Sequence, residues 1–216
     1  MSKFFFCIKK IFVYIIIIIL LPSHVWGGCK TPKINKSFLK PYETKDQKWK
    51  INDPYYYDDT RLGLSIKFQT SSENLDFYVY NLGKATISEK EVENELRSGF
   101  FDMINYYKQY EPKAIHSEPL FLSGNFFKPS VNKLVRSAVF VLVKKPQKSE
   151  LSMVSMGFDG QCFLKLRYTR QIREFPNIEE VFNNPTQDKK VLAGIFEFKG
   201  LTILLEEHLL NSGYYQ

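Results

Sequence analysis

The segment Met1–Cys29 constrains everything that follows it. It reads MSKFFFCIKK, then IFVYIIIIILL, then PSHVWGGC: a basic start, an apolar run and an exit rich in small residues. Lys3, Lys9 and Lys10 ahead of an Ile-rich run give the order of an export signal. The run from Ile11 to Leu21 is shorter than the roughly 20 apolar residues of a spanning helix, and Pro22 breaks it. Residues 1–28 are therefore expected to be a signal peptide. The rest of the chain is read as a protein of the cell envelope or the exterior.

Processing of the leader is a chemical fork. Gly27-Gly28-Cys29 resembles a bacterial lipoprotein site, with Trp26 where that family usually has Leu. The resemblance implies cleavage before Cys29, lipidation of its sulfur and tethering at the periplasmic face of the envelope membrane. Plain cleavage near Gly27 is the second outcome. An uncleaved anchor, lengthened by Phe4–Phe6 and Ile8, is the third. Cys7 leaves with the signal, so Cys29 and Cys162 remain. They form a disulfide, or Cys29 carries the lipid and Cys162 is a free thiol. Cys162, Leu164, Leu166 and Tyr168 alternate on one strand face, which favours a buried thiol and a lipidated Cys29. The sequence holds no CxxC and no Cys/His cluster, so neither a metal site nor a cofactor is expected.

A hydrophobic content of 44% and an aromatic content of 16% suffice for a packed core. The formal charge is +7, and the leader lysines account for part of it. No dense Arg/Lys block interleaved with aromatics is visible, which argues against nucleic-acid binding. Lys30, Lys33, Lys36 and Lys40 offer a weak attraction to anionic lipid, although usage rich in Ile, Lys, Asn, Phe and Tyr also suits an AT-rich genome. Residues 29–60 carry Pro32, Pro41 and Pro54 and keep no period, and they are read as a polar tether. Tyr55-Tyr56-Tyr57 at its end is either a recognition patch or, by preference, packing at the domain edge.

The domain is expected over residues 61–216. Leu62, Leu64, Ile66 and Phe68 alternate with polar residues, and LDFYVYNL at residues 75–82 follows a turn, so the pair predicts an opening hairpin. Ser88 and Glu91 form a capping box. Behind it Val92, Leu96, Phe100, Met103, Ile104 and Tyr107 fall at helical spacing up to Tyr110. VRSAVFVLV at residues 135–143 predicts a central strand, and two further strands complete a meander with QCFLKLRYT at residues 161–169. A short helix follows Asn177. A closing helix over residues 188–210 presents Val191, Ile195, Phe198, Thr202, Leu205 and Leu209 on one face. The fold class is α+β, an antiparallel sheet of hairpin plus meander covered by a long helix and a C-terminal helix.

Few residues suggest chemistry. Lys165, Arg167, Arg170 and Arg173 make a basic row suited to an anionic head group or an acidic partner, or a solvated sheet face. His116 beside Ser117 and Glu118 lacks a nucleophile elbow or a third orienting group, and His208 in Glu206-Glu207-His208 reads as a helix-end histidine. Phe126-Phe127 reads as a core cover. The element order, with VFVLV, SMVSMGFDG and FLKLRYT in the meander, resembles the PsbP/Mog1-like α/β sandwich and bacterial envelope proteins similar to it. That resemblance implies a non-catalytic binding or accessory module with an envelope partner. The alternatives are a secreted hydrolase or effector using His116, and a lipid-carrier domain.

Overall fold

The computed structural model describes residues 28–110, 115–116, 134–143, 149–172 and 189–214. Residues 1–27, Ser117, Glu118, Phe126-Phe127, Arg173 and the short helix expected after Asn177 lie outside the described residues. Within them eight strands form one antiparallel sheet: β1 (Lys50–Ile51), β2 (Tyr55–Tyr56), β3 (Leu64–Gln69), β4 (Glu73–Tyr80), β5 (Ile115–His116), β6 (Leu134–Val143), β7 (Ser149–Phe158) and β8 (Phe163–Ile172). The strand order is β1-β3-β4-β8-β7-β6-β5, and β2 pairs with the outer edge of β3. The hairpin and the meander are present as expected, joined edge to edge through β4 and β8.

Helix α1 (Glu89–Tyr110) begins where the capping box places it. The Ser88 amide donates to Glu91 at 2.7 Å, and the Glu91 amide donates to the Ser88 hydroxyl at 3.4 Å. Helix α2 (Lys189–Asn211) closes the described chain. The two helices lie on opposite faces of the sheet, and strand alternation explains how both are served. Ile66, Phe68, Leu75, Phe77, Leu151, Met153, Leu164 and Leu166 are buried with Ile195, Phe198, Leu201, Leu205 and Leu209 of α2. Residues of opposite parity, among them Tyr80, Val154, Met156 and Phe163, are buried with Val92 and Leu96 of α1.

Residues 29–60 are not a tether. A 3-10 helix at Lys36–Tyr42 starts on the Asn35 side chain, which accepts from the Ser37 amide at 2.8 Å. It drives Phe38 and Leu39 into the core against α2. Trp49 is 1% exposed. Strands β1 and β2 then edge the sheet. The segment has no period because its buried side chains enter the core singly, from irregular backbone. Each still contributes on the order of 1.5–3 kcal/mol of burial.

Cys29 is bonded to Cys162, with their Cα atoms 5.8 Å apart. This corrects the expectation of a lipidated Cys29 and a free Cys162, because a sulfur held in a disulfide has no thiol for a lipid thioether. The apolar alternation around Cys162 is present, but it buries one half of a crosslink rather than a lone thiol. The crosslink pins the start of the N-terminal segment to the β7–β8 turn.

Among the described residues β6 stands between β7 and the two-residue β5, paired on both sides. Strand β7 is buried on both faces from Leu151 to Gly157, even though it carries Ser152 and Ser155.

Candidate functional site

Registers across β2, β3, β4 and β8 lay out a polar surface on the α1 side of the sheet. One row runs Tyr55, Ser65, Tyr78, Lys165, each directly opposite the next. The neighbouring row runs Lys67, Asp76, Arg167, and the next Gln69, Asn74, Thr169. Cross-strand neighbours on one face stand within contact range, so three cations, one carboxylate and two tyrosines share one surface. Tyr57 joins them. Its ring lies edge-to-face 5.0 Å from that of Tyr55, and its hydroxyl is 3.5 Å from the Ser65 hydroxyl.

The electrostatics of this surface are unusual for a solvated sheet face. Lys67, Lys165 and Arg167 have no carboxylate within 4.0 Å among the described residues. Lys165 is partly buried. Its ammonium lies 5.9 Å from the centre of the Tyr78 ring, and a methyl group on Gly99 of α1 would come within 3.5 Å of it. Burial pushes the Lys165 ammonium below the usual lysine range; Glu95 and Asp102 oppose the shift and Arg167 adds to it. Burial also raises the Asp76 carboxyl, against the pull of Lys67 and Arg167. The Tyr78 hydroxyl is pushed up to about 12, chiefly by burial and then by Asp76. A charged group held where burial disfavours its charge is a candidate for a binding role.

The basic row expected from the sequence divides between the two faces. Lys165 and Arg167 belong to this surface. Arg170, one residue out of phase, projects to the α2 side, where it donates to Glu197 at 2.6 Å and lies 3.4 Å from Glu73. There Tyr168 donates its hydroxyl to Glu73 at 3.0 Å, and the Gln47 amide donates to the same carboxylate at 2.9 Å. Burial followed by the charge of Glu73 raises the Glu197 carboxyl. This cluster clamps the N-terminal segment, β4, β8 and α2 together and is structural. Arg173 lies outside the described residues.

His208 gathers no catalytic partner among the described residues. His116 sits in the two-residue edge strand β5, opposite Leu142, and both Ser117 and Glu118 lie outside the described residues. His208 is in the last turn of α2, with its ring 5.6 Å from that of Phe38 and its Nε2 3.3 Å from the Lys33 carbonyl. Among the described residues no three His, Cys, Asp or Glu side chains come together to hold a metal. No described helix is long and apolar enough to cross a membrane. Reading the sequence alone missed Lys67, Asp76, Tyr78, Tyr55 and Tyr57 as one surface. The signal available was the polar parity of the opening hairpin, and it acquires meaning only when β8 is set beside β4.

Comparison of the chain with protein-family models, with curated proteins and with solved structures finds no match in any of the three.

Proposed function

We propose that this chain is an exported, non-catalytic binding or accessory module of the bacterial envelope that holds an acidic partner against the α1-side face of its sheet. The observation that carries the reading is the placement of Lys165, Arg167 and Lys67 on one face without a carboxylate within ion-pair range among the described residues. The leader supports export, and a disulfide suits an oxidising compartment. The leader, not a lipid on Cys29, delivers the domain. Helices on both faces of an antiparallel sheet are compatible with the PsbP/Mog1-like resemblance, which points to the same class of role.

The test is retention of the disulfide-bonded protein on isolated bacterial envelopes. Retention should fall steeply as salt rises, because charge pairing at a surface is screened within about 10 Å at 0.1 M. It should also fall on Lys165→Met and Arg167→Met substitution. Absence of retention, or equal retention of the variants, defeats the reading.

A further inference from the structure

Resting on that binding reading and naming its ligand, we infer that the α1-side face binds an extended acidic oligosaccharide. A sugar ring lies on Tyr55, and the acid groups meet Lys67, Arg167 and Lys165. Tyr55 is 61% exposed, and its ring is braced edge-to-face by Tyr57. The face is therefore preset with an aromatic shelf at the sheet edge and cations inward of it. Lys67 on β3 is one strand spacing from β2, and Lys165 and Arg167 on β8 are three, roughly 14 Å at about 4.8 Å per step. That span fits a chain of sugars better than a single small anion. The ordering is continuous in the registers, Tyr55 to Ser65 to Tyr78 to Lys165, with Lys67 and Arg167 one row along.

Two features favour sugar over single-stranded nucleic acid, the other polymer that stacks on aromatics and pairs with cations. The next row, Gln69, Asn74 and Thr169, is uncharged and offers donors and acceptors suited to hydroxyls. The aromatics are tyrosines, whose phenolic ends hydrogen-bond at the rim of a shelf. Tyr56, 59% exposed, faces the opposite way on the same strand and serves as an internal control.

The experiment titrates the disulfide-bonded protein calorimetrically with oligogalacturonate, its methyl-esterified form, a heparin-derived oligosaccharide and single-stranded DNA. Oligogalacturonate or the heparin fragment should bind, and esterification should weaken the uronate at least tenfold. Tyr55→Ala and Arg167→Ala should each weaken binding about tenfold, while Tyr56→Ala leaves it unchanged. Failure of both acidic oligosaccharides, tighter binding of DNA, or an equal loss in Tyr56→Ala overturns the inference. Salt-sensitive envelope retention that persists without oligosaccharide binding removes the sugar alone; loss of both removes the binding module as well.

Discussion

Breaking the Cys29–Cys162 bond perturbs the whole fold from one point, and its size follows from topology. The crosslink spans 133 residues of sequence. In the chain-entropy picture, closing so long a loop removes enough freedom from the unfolded chain to stabilise the fold by about 5 kcal/mol at 25 °C. Residual structure in the unfolded chain lowers that figure, so a loss of about 2–5 kcal/mol is expected. In a chain beginning at Gly28, Trp49 is the single tryptophan, buried in the core beside the segment that the disulfide pins. Urea unfolding followed by its emission, for the oxidised protein and for a Cys29→Ala/Cys162→Ala double variant, therefore reads the predicted site directly. The oxidised midpoint should be far higher, and native Trp49 emission should be blue-shifted and shielded from iodide. Coincident midpoints, or a native Cys29 open to thiol reagents, would refute the reasoning. Solvent-exposed Trp49 would restore the tether.

Three further perturbations probe the two faces. Lys165→Met should stabilise the protein at pH 7 by about 1 kcal/mol or less, discounted from the value for a fully buried ion because the side chain is partly exposed. The folded ammonium is depressed below its unfolded value, so its cost is complete at neutral pH and fades as pH rises towards about 10.4; the midpoint gap should close in alkali. Gly99→Ala should be neutral or gain up to about 1 kcal/mol of helix propensity, since the added methyl makes ordinary contact with Lys165. Gly200→Ala should lose about 1–2 kcal/mol despite the same propensity, because its methyl would overlap the Tyr42 ring; thermal midpoints of opposite sign check the pair. Ser88→Ala should cost about 1 kcal/mol. Lys84 and then the Ser88 amide hold the Glu91 carboxyl down to about 2. Its contribution, present above the ordinary glutamate range, should disappear as acid titration approaches that value, and loss of the Ser88 hydroxyl, which also donates to Glu91, should move the loss to higher pH.

Legibility tracked locality. The Ser88 box was readable because donor and acceptor lie three residues apart, and the hairpin because Leu64, Ile66 and Phe68 repeat at period two. The end of β4 was misplaced by two residues, because Asn81, Leu82 and Gly83 form a turn where the apolar Leu82 suggested more strand. Phe38, Leu39 and Trp49 were lost in a stretch of prolines and lysines, since a core contact made once leaves no repeat. Arg170 was grouped with Lys165 and Arg167 by proximity in sequence. One residue of phase on a strand sends it through the sheet to Glu73 and Glu197.

By itself the sequence determined the α+β class, the capped helix, the parity of β3 and β8 and the presence of two cysteines beyond residue 28. Those properties depend on neighbours within a few positions. Only the tertiary structure decided that the cysteines pair, that residues 29–60 belong to the core, and that Tyr55, Lys67 and Asp76 share a face with Lys165 and Arg167. The physical reason is strand order. Setting β8 beside β4 joins residues almost a hundred positions apart, and no local pattern encodes which edges will meet.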